Sequence, residues 1–279
     1  MPQRTIVITG ASDGIGAAAA HTFAEQGDRL LLVGRRADKL TAVARPLGAE
    51  TFIADVEKLD DVRRLADQLR AATDQIDVLA NNAGGLFATY VMTQDGNERT
   101  MQVNHYAPFL LTNLLMDVLT TSNATVVNTS SVGHSMAKLD LEDLDYQHSN
   151  YATMRAYGNS KLANILFTKG LHKRFHDQGL NAVAFHPGNI SSNFAKEEGS
   201  AWMKLIYNTP LAKMLSTPQY GADNLAWLAN GTPGVTWTSG EYYTDKRTPL
   251  KRPTSQSVDA DLADAFWTES ARRVGLAQA

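Results

Sequence analysis

Apolar residues along this chain follow two alternating rhythms. Short runs rich in Val, Ile, Leu and Thr occur at 5–9, 30–33, 51–54, 78–80, 125–129 and 182–185. Their apolar character does not alternate, which predicts strands buried on both faces. Between them, at 15–26, 37–47, 59–71, 96–119 and 156–176, apolar positions recur three and four residues apart and predict helices. The last of these is expected to be strongly amphipathic, through Leu162, Ile165, Leu166 and Leu171. Strand followed by helix, repeated, predicts parallel strands joined by right-handed helical crossovers. The expected fold is therefore α/β: a doubly wound, Rossmann-type sheet of mostly seven parallel strands with helices on both faces. Two stretches break the rhythm. Residues 133–153 are polar and aromatic with no clear period, and 189–218 carry loop signals around Phe194, Trp202, Met203, Leu205, Ile206 and Tyr207. Long connections in a compact domain are usually functional, so 189–218 is expected to form a small apolar lid after the sixth strand. Nothing resembles a linker or an internal repeat, and one domain is expected over 1–279.

Composition and charge act mainly by exclusion. The 279 residues are 43% hydrophobic and 20% charged, ordinary values for a folded domain. Lys plus Arg is 26 against 29 for Asp plus Glu, a net charge of −3, so the basic excess of a nucleic-acid binder is missing. Cysteine is absent, which removes disulfides, thiolate nucleophiles and cysteine-bound zinc. His172 and His176 have the spacing of a helical metal pair but no evident third ligand, so no metal site is expected. No run approaches the about 18 apolar residues of a membrane span, and the first residues read as a strand rather than a signal peptide. The expectation is a soluble, cytoplasmic protein with no membrane or nucleic-acid partner.

The first strand runs into Gly10-Ala-Ser12-Asp13-Gly14-Ile15-Gly16, and a helix follows. Gly10 can turn the backbone, Gly14 lets the main chain approach a pyrophosphate, and Gly16 lets the helix pack close to the sheet. Free N–H groups and the helix dipole then face the phosphates. Strand, glycine loop and helix in this order predict a dinucleotide site. The second strand ends in Gly34-Arg35-Arg36, where an acidic residue would favour NAD. A guanidinium here can pair with a 2′-phosphate instead, so the reading is NADP. Asp55, after the third strand, is placed to bond the adenine amino group.

Tyr157 and Lys161 are four residues apart at the start of the last long helix, so both side chains share one face. A free phenol titrates near 10 and is a poor acid at neutral pH, but a neighbouring ammonium favours the phenolate. Such a pair can give or take a proton at an oxygen undergoing reduction or oxidation. Asn104 precedes Pro108 by four residues. Proline has no N–H, so the Asn104 carbonyl loses its helical partner and is expected to bind a water.

Taken in order, these pieces resemble the short-chain dehydrogenase/reductase superfamily over nearly the whole chain. The matching residues are the loop from Thr9 to Gly16, Asp55-Val56, Asn81-Asn82-Ala83-Gly84, Asn104, Ser130-Ser131, Tyr157 with Lys161, and Pro187-Gly188. The resemblance implies a catalytic set of Asn104, Ser131, Tyr157 and Lys161, with Ser131 and Tyr157 flanking the substrate oxygen and Lys161 also holding the nicotinamide ribose. A water on Asn104 would then link Lys161 to solvent. The resemblance implies cofactor contacts from Gly10, Ser12, Asp13, Gly14, Ile15, Gly16, Arg35, Arg36, Asp55, Val56, Asn81, Asn82, Ala83, Gly84, Tyr157, Lys161, Pro187, Gly188, Ile190 and Ser192. Within the superfamily the chain is most similar to the retinol-dehydrogenase-like branch and to soluble bacterial ketoreductases. That likeness rests on residues 159–167, on the long span from Ser131 to Tyr157, and on residues 266–276. The branch's N-terminal membrane anchor is not seen. The implied activity is NADP(H)-dependent interconversion of a carbonyl and an alcohol on a bulky lipophilic substrate, by a monomer or homodimer. The alternative is a cofactor-binding sensor or scaffold without catalysis; such members typically lose the tyrosine or lysine, and both are present here.

Overall fold

The computed structural model describes residues 3–188 and 216–276. Its first half follows the expected alternation: β1 (Thr5–Thr9), α1 (Gly14–Glu25), β2 (Arg29–Gly34), α2 (Ala37–Leu47), β3 (Glu50–Ile53), α3 (Leu59–Ala72) and β4 (Val78–Asn81). A broken helical stretch follows, with α4 (Arg99–Met101), a π turn (Gln102–Tyr106), α5 (Ala107–Leu114) and α6 (Met116–Thr121). Then come β5 (Thr125–Thr129), α7 (Thr153–Phe175), β6 (Asn181–Phe185), α8 (Pro218–Asn230), β7 (Tyr242–Tyr243), α9 (Ser255–Val258) and α10 (Ala260–Arg273). All seven strands run parallel in the order β3-β2-β1-β4-β5-β6-β7. The order reverses direction at β1 and β4, and ligand crevices of doubly wound sheets open at such a point.

The two faces of the sheet carry separate cores. Val7, Leu31, Leu79 and Val126 pack under α3, α5, α7 and α10. Ile6, Ile8, Leu32 and Val127 pack under α1, α2 and α8, together with Phe185 and Trp237. Alternate residues of one strand thus serve opposite faces, and each face is packed under helices. Trp237, Tyr242 and Tyr243 belong to the interior, as their place around the last strand suggests.

Three expectations need correction. The third strand is not buried on both faces: it is the sheet edge, Ile53 is 41% exposed, and Arg29 pairs with Glu50 across the rim at 2.7 Å. The helix expected over 96–119 is not continuous. Pro108 withholds the N–H that Asn104 would accept, the chain widens into a π turn there, and it breaks again at Leu115. Finally, α7 is not amphipathic. It lies between the sheet and α10, and polar positions Asn159, Ser160, Lys161, Asn164 and Thr168 are as buried as its leucines. The lid expected over 189–218, with Phe194, Trp202, Met203 and Tyr207, lies outside the described residues up to 215.

Candidate active site

A cleft of about 700 Å³ opens along the carboxyl ends of β1, β2, β4 and β5. Most of the residues singled out in the sequence line it: Gly10, Ser12, Asp13, Gly14, Ile15, Arg35, Arg36, Asp55, Val56, Asn82, Ala83, Gly84, Ser131, Tyr157, Lys161, Pro187 and Gly188. Gly10 and Gly14 adopt φ of +69° and +57°, which is why the turn needs glycine. Asp13 caps α1 by accepting from the Gly14 N–H at 2.7 Å. Gly16 is not on the cleft surface but behind it, where an added Cβ would stand 2.3 Å from the Gly10 carbonyl oxygen. Its part is to let α1 approach the sheet. The Thr9 hydroxyl accepts from the Asn82 and Ala83 N–H groups at 3.0 Å each, tying the exit of β4 to the end of β1.

The cleft fits a dinucleotide on two grounds. The Ser12 hydroxyl is buried with no protein partner, so a polar ligand group would satisfy it. Gly34 leaves that hydroxyl room, since a Cβ at this position would lie 2.1 Å from it. Arg35 and Arg36 follow at the end of β2, and Lys39, which the sequence reading missed, adds a third cation to the same wall. Arg36 pairs with Asp38 at 3.0 Å.

At the other end, β5 and α7 bring three expected residues together. Ser131 sits just past β5 and accepts from the Gly133 N–H at 3.1 Å. Tyr157 is in the second turn of α7, its ring edge against Gly133, where an added Cβ would be 3.0 Å from Cε1. Lys161 follows one turn later, with its ammonium 5.6 Å from the centre of the Tyr157 ring. Lys161 is 3% exposed and donates to the Thr129 carbonyl at 3.1 Å. Burial pushes its pKa down to about 8 from 10.5, because a dry surrounding penalises the charged form. Ser130 is turned inward and donates to the Lys161 carbonyl at 2.7 Å.

Like Gly16, two more expected site residues stand behind the cleft. The Asn81 side chain points into the interior and donates to Thr112 and Asn128 at 3.1 and 2.9 Å, so that only its backbone, at the end of β4, is left to meet a cofactor. The Asn104 side chain braces the floor: it accepts from the Gly85 N–H at 2.7 Å and donates to the Gly85 carbonyl and to Ser160 at 2.9 Å each. The Asn104 carbonyl accepts from the Asn164 side-chain amide at 3.1 Å, which leaves one lone pair of that oxygen for the expected water. Ile190 and Ser192 lie outside the described residues. The sequence reading also missed the apolar mouth beside Tyr157, made by Phe87, Val132, Met136 and Met154. Val132 and Met136 are 47% and 48% exposed there. These residues carry no motif, and only folding gathers them. Among the described residues, no group of His, Asp and Glu could hold a metal ion, and no helix is long and apolar enough to cross a membrane.

Parallel sheet, glycine turn and crevice at the reversal of strand order together define a dinucleotide-binding α/β protein. The short chain dehydrogenase family matches residues 4–202, and the chain belongs to it, within the retinol-dehydrogenase-like branch. It is 39% identical over 282 residues to the candidate daunorubicin C-13 ketoreductase DnrU of Streptomyces sp. (strain C5), covering 99% of this chain and 94% of that one. It is 33% identical over 290 residues to mouse (Mus musculus) retinol dehydrogenase 13, covering 100% of this chain and 86% of the relative. The structure of a candidate short chain dehydrogenase from Shigella flexneri 2a str. 301, complexed with NADP, superposes with a TM-score of 0.68 at 26% identity, covering 87% of this chain and 97% of that one. Members of the family use NAD(P)(H), and this chain is an oxidoreductase of carbonyl and alcohol groups.

Proposed function

We propose that the chain, as one domain, is an NADP(H)-dependent reductase and dehydrogenase of bulky lipophilic carbonyls and alcohols, with Tyr157 as general acid and base. The observation that carries this reading is Lys161. A buried ammonium beside a phenol ring, in the cleft that also holds the glycine turn, costs stability and has a chemical use. When bound, the reduced nicotinamide supplies a hydride to the carbonyl carbon. Tyr157 donates the proton that the oxygen then needs, and the Lys161 charge stabilises the phenolate left behind. The Ser131 hydroxyl lies on the same wall and donates to the oxygen as negative charge develops on it. Gly10, Ser12, Gly14 and the N-terminus of α1 hold the pyrophosphate, and Arg35 with Lys39 receives the 2′-phosphate. Phe87, Met136 and Met154 give the substrate a deformable apolar seat, because thioethers adapt to irregular shapes.

The test is consumption of NADPH with a panel of large apolar ketones, by the wild type and by Arg35→Ser. The wild type should turn over several of them. Arg35→Ser should raise KM for NADPH by about 10–100-fold, the loss of a charge-assisted pair, and leave KM for NADH nearly unchanged. Equal losses for the two cofactors would contradict the 2′-phosphate assignment.

A further inference from the structure

We infer that Asn164, held in one orientation by His105 and Ser270, is a positioning residue for Lys161, so that the C-terminal helix α10 reaches the reaction site through buried hydrogen bonds. The inference rests on the functional reading above. Asn164 lies three residues past Lys161 on α7 and is 3% exposed. Its Nδ2 donates to the Asn104 carbonyl at 3.1 Å and to the Thr129 carbonyl at 3.0 Å. The Thr129 carbonyl is also the acceptor of the Lys161 ammonium. Asn164 therefore grips the same oxygen that anchors the lysine. It can grip the Asn104 carbonyl as well because Pro108 supplies no N–H to it.

Carbonyl oxygens only accept, so both amide hydrogens are committed and Oδ1 must face the other way. It faces His105 Nδ1 at 3.3 Å. That contact is a hydrogen bond only if Nδ1 carries the imidazole proton. Nε2 is then a bare acceptor, and the Ser270 hydroxyl of α10 lies 2.9 Å from it. His105 is 1% exposed among the rings of Tyr106, Phe109, Phe167 and Phe266, and burial holds its pKa at about 3, so it stays neutral. One tautomer of a neutral imidazole thus selects one orientation of an amide. The flipped amide would set its oxygen against two carbonyl oxygens and loosen the seat of Lys161.

Ser270→Ala removes the outermost donor, far from cofactor and substrate. Without it the imidazole can move its proton to Nε2, and Asn164 loses the partner that orients it. The readout is the pH profile of alcohol oxidation, whose midpoint follows the ionisation of Tyr157 under the influence of Lys161. Ser270→Ala and the neutral isostere Asn164→Leu should each move the midpoint up by about 0.5–1 pH unit, with about a 3–10-fold loss of kcat below it and KM for NADPH within about threefold. Ser270→Thr, which keeps the hydroxyl, should keep the wild-type midpoint. A purely structural role would lower activity at every pH without moving the midpoint. Independently of turnover and of variant folding, nitrogen NMR of the wild type should show His105 protonated on Nδ1. Protonation on Nε2, or an unmoved midpoint in both variants while Tyr157→Phe is inactive, would overturn this inference alone. Full activity of Tyr157→Phe would instead overturn the functional reading beneath it.

Discussion

Tyr157→Phe should lose about 10³-fold in kcat while binding NADPH within about threefold of the wild type. The substitution removes one oxygen and keeps the ring. That ring edge rests on Gly133, a contact that phenylalanine preserves, so the fold and the cleft should be unchanged. What is lost is the group that carries the proton. A water could partly replace it, and the proximity of the bound reactants would persist, so some residual turnover is expected. Steady-state kinetics beside a fluorescence titration of NADPH separate chemistry from binding. A variant that kept more than about a tenth of wild-type kcat would show that the proton comes from elsewhere. The same pair of measurements also decides against a non-catalytic sensor, for which wild type and variant would bind alike and neither would turn over.

Lys161→Met should abolish turnover and yet make the ligand-free protein more stable at neutral pH. The folded-state pKa of Lys161 is about 8 against an ordinary 10.5. Below pH 8 folded and unfolded chains both carry the proton, and the folded chain bears the whole cost of burying the charge. A gap of this size corresponds to about 3 kcal/mol, at about 1.4 kcal/mol per pH unit. Between pH 8 and 10.5 the unfolded chain keeps a proton that the folded chain has released, so wild-type stability rises through this window. Methionine is of similar length and has no charge to bury. The variant should therefore be more stable by about 1–3 kcal/mol at pH 7, where the lost bond to Thr129 offsets part of the gain. Its advantage should shrink as pH climbs above 8. Denaturant melts at pH 7 and pH 9.5 measure both. Destabilisation at pH 7, or a difference that ignores pH, would mean that Lys161 is not buried at a cost. Such a cost, retained beside Tyr157, is what a site kept for chemistry looks like.

The same physics explains what the sequence made legible. The glycine turn, Tyr157 and Lys161 are local patterns, in which backbone reach or one helical turn fixes the spacing, and the structure puts them in one cleft. The parallel, doubly wound sheet follows from the strand-helix rhythm, whereas the order of its strands is seen only in the fold. Periodicity misled where polar residues are buried. On α7, Asn159, Ser160, Lys161 and Asn164 look like a solvent face, yet each is paired inside with partners distant in sequence. At Asn81 the motif points to a ligand, while the side chain itself serves Thr112 and Asn128. Strand β3 read as core because its composition is apolar, but only its place at the sheet edge decides its exposure. Pro108 deprives the Asn104 carbonyl of its helical donor, as the sequence implies. One partner of that oxygen, Asn164, lies 60 residues away and could be found only by folding.

The most direct test of the central claim is a crystal structure of the chain with NADP⁺ bound. The dinucleotide should lie along the ends of β1, β2 and β4, with its adenosine 2′-phosphate on Arg35 and its nicotinamide C4 within about 4–5 Å of the Tyr157 hydroxyl, close enough for both to meet one substrate group. A nicotinamide ring held elsewhere, with Tyr157 and Lys161 far from it, would contradict the account.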